Sequence, residues 1–183
     1  VGPGGRQPRP LAALPWPAAA AITDCTSRKA VSATGGTVGS LTGPAAAGAA
    51  ARTVKQFLAS VASGPVQPAV ALALGLGDNV YEEAASSLQA KRDLLCDGLS
   101  AAGLEVARPS ATYFVIADAA PLGVGDALDF CRQMPALCGV VGVPVSVLCD
   151  DVEAARTLVR FAFCKRDAVL GEAVLRLSAL ASR

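Results

Sequence analysis

The chain has 183 residues, of which 52% are hydrophobic, and its 16 Lys and Arg nearly balance 15 Asp and Glu. This length fits one domain, or one domain with part of another, and the apolar content excludes wholesale disorder. A net charge of +1 argues against a nucleic-acid-binding protein, and the lack of His excludes His-based metal sites and imidazole catalysis.

The first 44 residues contain few regular elements. Gly and Pro are frequent in residues 1–10, which predicts loop or disorder. The short apolar segment 18–22 predicts the end of a buried strand, and a second strand is predicted over 38–42, before Gly43 and Pro44. Two strands do not form a stable domain by themselves.

Three helices are predicted next, over residues 45–62, 66–76 and 78–102. The first has Val54, Phe57, Leu58 and Val61 at helical spacing, and Gly103 ends the third. Beyond them the pattern predicts strands over 112–117, 140–143 and 157–164. Helices are predicted over 126–137 and from Asp167 to about residue 180. The last hundred residues therefore predict a compact α/β or α+β sandwich.

The six Cys residues show no CxxC spacing and are too few for a disulfide scaffold. Cys131, Cys149 and Cys164 lie in apolar stretches, where buried thiols are expected. This usage predicts a reducing cytoplasm. No run of about 18 apolar residues is present, which argues against a membrane span. Residues 1–22 imitate a signal peptide only weakly, because Pro15 and Pro17 interrupt the apolar part.

Two cations are candidates for chemistry. Lys29 precedes a segment rich in hydroxyls and glycines, Ser32–Gly39, which would suit an anion such as phosphate. The alternative is an ordinary exposed loop lysine. Arg160 lies in the middle of an apolar strand, where its guanidinium would suit a ligand carboxylate. The alternatives there are a salt bridge to Asp118, Asp150 or Asp151, or an exposed sheet face.

A family resemblance connects these residues. The segment Thr26-Ser-Arg-Lys-Ala-Val-Ser-Ala-Thr-Gly-Gly-Thr-Val-Gly39 resembles, without gaps, Ser-x-Gly-Lys-Thr-Phe-Ser-x-Thr-Gly-Trp-Lys/Arg-Val-Gly. This is the cofactor-lysine motif of class I/II pyridoxal-phosphate-dependent aminotransferases. The subgroup is that of the methionine, kynurenine/glutamine and succinyl-diaminopimelate transaminases. Further similar blocks follow in order: Leu11–Pro15 before the motif, then Pro65–Ala69, Lys91–Asp93, Pro109–Phe114, Gly139–Pro144 and Leu158–Lys165.

The resemblance implies a role for three residues. Lys29 would link covalently to pyridoxal 5′-phosphate and move a proton between the substrate Cα and the cofactor. Thr26 would bind the cofactor phosphate, and Arg160 would bind the substrate α-carboxylate. The sequence departs from the motif at Arg28, Gly36 and Thr37, where the family has Gly, Trp and a cation. Loss of that cation should weaken phosphate binding by about 1.5–3 kcal/mol unless another group replaces it.

The resemblance also implies the architecture. We expect an α/β chain made of the end of a fold-type-I large domain, a long interdomain helix and a complete α/β small domain. Residues 11–44 would be the remnant of the large cofactor-binding domain, 45–77 the interdomain helices and 78–183 the small domain.

The implied reaction transfers an amino group from an α-amino acid to a 2-oxo acid. We expect this chain alone to be inactive. In the family, the residues that hold the cofactor ring lie in the front half of the protein, before the lysine motif, and this chain has only a short segment there. A homodimer, or a fragment that complements a separately encoded front half, is expected. The alternative is a non-catalytic remnant or interaction module with a small-domain fold. A truncated large domain should expose apolar strand edges and favour aggregation or a partner.

Overall fold

A computed structural model describes residues 13–14, 21–27 and 34–180. The predicted loop over residues 1–10 lies outside these ranges, as do residues 18–20 of the predicted strand end. The chain divides into two compact units, and the boundary between them follows Glu83.

The first unit begins with a two-stranded antiparallel hairpin. Strand β1 (Thr23–Thr26) pairs with β2 (Gly39–Thr42), so that Thr26 lies opposite Gly39. The predicted strand at 38–42 is thus confirmed to within one residue. Ala21 and Ile22, predicted as part of a strand, instead precede β1.

Ser27 closes the end of this hairpin from which the connecting loop leaves. Its Oγ donates a hydrogen bond to the carbonyl of Gly36 (3.1 Å) and accepts one from the amide of Val38 (2.9 Å). The Ser27 amide donates to the Val38 carbonyl at 3.0 Å. These three bonds hold the two ends of the segment between Ser27 and Val38 together.

Two helices follow, close to their predicted bounds: α1 (Ala45–Ala59) and α2 (Val66–Leu74). Helix α1 contains no buried residue. Among the described residues up to Glu83, Ala21, Ser27 and Val70 alone are buried. Apolar side chains are exposed instead, Phe57 at 83% and Leu58 at 78%. This unit therefore has little hydrophobic core within its described part.

Helix α3 (Asp78–Ala101) begins in the first unit and ends in the second. It ends where predicted, and Gly103 adopts φ +90°, a conformation that glycine tolerates best. A Cβ at Gly98 would lie 2.5 Å from Cγ2 of Val174. Gly98 therefore lets the last helix of the chain pack closely against α3.

The second unit contains a four-stranded sheet. Its strands are β3 (Glu105–Ala107), β4 (Phe114–Asp118), β5 (Val143–Pro144) and β6 (Leu158–Ala162), in the order β3-β4-β6-β5. All neighbours are antiparallel. The strand predicted over 140–143 is wrong in extent, because only Val143 of that range pairs with β6.

Two helices complete this unit, α4 (Ala127–Cys138) and α5 (Asp167–Leu177). The Asp126 carboxylate accepts hydrogen bonds from the amides of Leu128 and Asp129 and so caps α4. Alternate strand residues join the helices in one core. Its members include Leu99, Val115, Phe130, Met134, Val159, Phe161, Phe163, Leu170 and Leu177. The α/β fold class is confirmed.

Whether a thiol is buried depends on whether its side chain reaches this core. Cys131 is buried as predicted, whereas Cys149 and Cys164 are exposed, so their predicted burial is wrong. Cys149 ends a short 3-10 turn and Cys164 follows the end of β6, where neither side chain reaches the core. Within the described ranges, no helix combines the length and apolar character needed to cross a bilayer.

Replacing Ser27 should loosen the loop end of the hairpin. Ser27→Ala removes the acceptor of the Val38 amide and the donor to Gly36. One such bond stabilises by about 1 kcal/mol, so hydrogen exchange at the Val38 amide should accelerate about five- to tenfold. Ser40→Ala, at an exposed position of β2, is the control and should leave that rate unchanged. Equal exchange rates in both variants would contradict the assignment.

The exposed apolar side chains of α1 should cause self-association. Phe57→Gln combined with Leu58→Gln should lower the weight-average mass in sedimentation velocity and the fluorescence of bound anilinonaphthalene sulfonate. Lys55→Gln, on the same helix, is the matched control. Unchanged mass and fluorescence in the double variant would show that this surface is not responsible.

Alkaline pH should destabilise the second unit through Cys131. Burial raises the pKa of its thiol from 9.0 to about 11. The unfolded chain therefore ionises first, and stability present below pH 9 is lost as pH rises towards 11. The loss attributable to this thiol is about 2 kcal/mol. Urea unfolding should show a shallower decline between pH 9 and 11 for Cys131→Ala than for the wild type. Parallel declines would exclude the thiol as the cause.

Candidate functional site

Arg160 occupies the central position of β6, opposite Ile116 of β4 and Val143 of β5. Its neighbours Val159 and Phe161 are buried in the core. Because side chains alternate along a strand, Arg160 lies on the other face of the sheet. It is half-buried there.

The guanidinium of Arg160 stacks on an aromatic ring. Its Cζ lies 4.2 Å from the centroid of the Phe114 ring, well within the range of a cation–π interaction. Phe114 is opposite Ala162 in the strand register, diagonal to Arg160 on the same face. The stacking restricts the plane in which the guanidinium can present its N–H donors.

The salt-bridge alternatives for Arg160 are not realised within the described part of the chain. None of its nitrogens lies within 4.0 Å of a carboxylate oxygen there. Asp118 accepts a hydrogen bond from the Ala120 amide (2.8 Å), and Asp151 accepts one from the Ala154 amide (3.0 Å). Both of these carboxylates therefore stabilise local turns. As far as the described residues go, the donors of Arg160 therefore remain available for an anion from outside.

The loop before Phe114 has an unusual backbone. Thr112 adopts φ +69°, a left-handed conformation that a β-branched residue rarely adopts. Its Oγ1 accepts a hydrogen bond from the Phe114 amide at 3.3 Å. The rings of Tyr113 and Phe114 are 4.4 Å apart and tilted by 48°. These contacts determine how Phe114 enters β4.

An arginine cluster (Arg92, Asp93, Asp97 and Arg108) connects α3 to this loop. Arg92 is 8% exposed, and it donates one hydrogen bond to Asp93 (2.9 Å) and one to the carbonyl of Pro109 (3.1 Å). Arg108 forms ion pairs with Asp93 and Asp97. Desolvation opposes ionisation of Asp93, but hydrogen bonds and charge from Arg92 and Arg108 lower its pKa below the ordinary value. Sequence reasoning assigned no role to Arg92, because the carbonyl that it binds is 17 residues away and no local pattern links the two.

The hairpin of the first unit contains Thr26, the residue predicted to bind the cofactor phosphate. Thr26 is half-buried at the end of β1, and its hydroxyl makes no hydrogen bond within the described ranges. A threonine hydroxyl is able to donate a hydrogen bond to a phosphate oxygen. Lys29 lies outside the described residues, between Ser27 and the next described position, residue 34. Thr26 and Arg160 belong to different units.

A cavity of about 510 Å³ lies elsewhere in the second unit. It is lined mainly by apolar side chains, among them Leu95, Phe161 and Leu170, with Lys165 and Arg176 as cations. Arg160 is not among its lining residues. Within the described ranges, no group of three or more Cys, Asp or Glu could hold a metal ion.

Comparison with known proteins identifies the family of this chain. A family model described as aminotransferase class I and II matches residues 18–177. A probable N-succinyldiaminopimelate aminotransferase of Mycobacterium tuberculosis is 41% identical over 182 residues, which cover 95% of this chain and 46% of the relative. Methionine aminotransferase of Escherichia coli is 32% identical over 80% of this chain and 38% of its own length.

The solved structures give the same result. The N-succinyldiaminopimelate aminotransferase from Mycobacterium tuberculosis matches with a TM-score of 0.89 and 43% identity, over 93% of this chain and 44% of that one. A methionine aminotransferase from Escherichia coli matches with a TM-score of 0.85 and 30% identity. The chain thus spans less than half the length of the curated relatives it matches. It belongs to the class I and II aminotransferases, a family of pyridoxal-phosphate-dependent enzymes.

Proposed function

We propose that this chain takes part in transfer of an amino group from an α-amino acid to a 2-oxo acid, with pyridoxal phosphate as cofactor. The observation that carries the proposal is the guanidinium of Arg160. It is half-buried, stacked on Phe114 and without a carboxylate partner in the described part of the chain. Both substrates of this reaction contain a carboxylate next to the reacting carbon.

Arg160 suits that carboxylate for two physical reasons. A guanidinium presents paired N–H donors that match the two oxygens of a carboxylate, and it stays charged at any pH the protein tolerates. Partial burial strengthens the interaction, because water competes less effectively than at an open surface. We assign Arg160 the role of binding and orienting the substrate α-carboxylate.

The hairpin of the first unit has the complementary role in this proposal. Lys29 would hold the cofactor through its amine and move a proton at the substrate Cα. The Thr26 hydroxyl would donate a hydrogen bond to the phosphate. The cofactor, when bound, supplies the electron sink. Ser27 would keep the two ends of this segment together through its bonds to Gly36 and Val38.

The domain assignment belongs to the same proposal. Residues 11–44 would correspond to the end of the large domain, 45–77 to interdomain helices and 78–183 to the small domain. We expect the chain to form a homodimer in a reducing cytoplasm. The other arrangement is a complex with a separately encoded front half. The exposed apolar side chains of α1 favour a protein partner of either kind.

An interaction module without catalysis is the alternative. The exposed side chains of Phe57 and Leu58 favour it, because they provide apolar contact area without involving Lys29 or Arg160. Thr37, in place of the family's cation, removes one charge from the phosphate region and favours it as well. Attachment of the cofactor distinguishes the two functions.

Covalent attachment of the cofactor tests the enzymatic function. The chain is incubated with pyridoxal phosphate and reduced with borohydride, and the modified peptides are mapped by mass spectrometry. Modification should concentrate on Lys29 and disappear in Lys29→Ala, because only that amine is proposed to lie beside a phosphate site. Lys55→Ala, at an exposed lysine of α1, controls for nonspecific labelling. Equal labelling of residues 29 and 55, or none at 29, would exclude cofactor attachment by this chain.

A further inference from the structure

We propose that Phe114 is a positioning residue that holds the guanidinium of Arg160 in the orientation needed to bind a carboxylate. The inference rests on the proposed function of Arg160 and extends it to a residue that would act through Arg160. The distance of 4.2 Å between Cζ and the ring centroid is the observation behind it.

An arginine side chain ordinarily loses much rotamer freedom when it binds a ligand. Stacking on a ring face removes part of that freedom in advance, so that less is lost when the ligand arrives. The ring face attracts the cation but offers no competing acceptor for the N–H donors at the edge of the guanidinium. Phe114 therefore orients Arg160 and leaves its carboxylate-binding edge available. An acidic side chain in place of the ring would itself occupy that edge.

The ring is itself fixed by its surroundings. Backbone pairing of Phe114 with Ala162 places it in register with β6. The Thr112 hydroxyl accepts a hydrogen bond from the Phe114 amide. Further back, Arg92 of α3 donates to the carbonyl of Pro109 and ties the loop to the helix. The buried Arg92 thus supports the strand entry that presents the ring.

Nuclear magnetic resonance of arginine side chains can test this positioning. In the full chain labelled with ¹⁵N, the Nε–Hε signal of Arg160 should be shifted upfield by the ring current of Phe114. The shift should vanish in Phe114→Leu and persist in Phe114→Tyr, which keeps the ring. Signal assignment comes from Arg160→Gln. An unshifted Arg160 signal in the wild type would overturn the inference.

Titration with pyruvate, a 2-oxo acid with one carboxylate, measures the consequence. Phe114→Leu should weaken pyruvate binding at Arg160 about three- to tenfold, the usual range for a cation–π contact at a half-exposed site. Phe114→Tyr should bind as the wild type does. Arg132→Gln, which removes an exposed arginine paired with Asp129, is the matched control and should change nothing. Thermal unfolding of each variant separates loss of binding from loss of folding.

The outcomes separate the inference from the proposed function. If Phe114→Leu binds pyruvate as strongly as the wild type does, the positioning role is overturned, but the carboxylate role of Arg160 stays intact. Absence of binding to the wild type, or binding that survives in Arg160→Gln, would overturn both. Weakening in Phe114→Leu together with recovery in Phe114→Tyr supports both.

Discussion

Side-chain alternation along β6 is the constraint on which the candidate carboxylate site depends. Val159 and Phe161 are buried against the helices, so Arg160 between them can lie only on the opposite face of the sheet. A register shift of one residue would place the guanidinium in the core and Val159 in water, at a cost of several kcal/mol. The hydrophobic core therefore fixes the position of a cation that takes no part in it.

The same periodicity explains how much of the fold could be predicted. Helices α1, α2, α3, α4 and α5 each span several turns, so the spacing of their apolar residues and their end signals are visible in the sequence. Strands β3 and β5 have three and two residues, too few to show alternation. They form because β4 and β6 hydrogen-bond to them, and this pairing cannot be seen in the local sequence pattern. The exposure of Cys149 and Cys164 likewise depends on where an element ends.

The candidate site was predictable only in part. A cation in the middle of an apolar strand made Arg160 conspicuous, and its orientation follows from its neighbours. Its stacking on Phe114 joins residues 46 positions apart by number, and the bond between Arg92 and Pro109 joins α3 to a distant loop. Such contacts arise from tertiary packing and leave no trace in residue order. The roles of Lys29 and Thr26 stay predictions that rest on the motif.

The residues proposed to bind the substrate carboxylate and those proposed to hold the cofactor belong to different units of the chain. Arg160, Phe114 and the arginine cluster are all held within the second unit, whose core is continuous. The hairpin with Thr26 and Ser27 belongs to the first unit, where few described residues are buried. Because each set of contacts is internal to its unit, destabilising the hairpin need not disturb the guanidinium. We therefore expect the proposed carboxylate binding and the proposed cofactor attachment to be separately measurable.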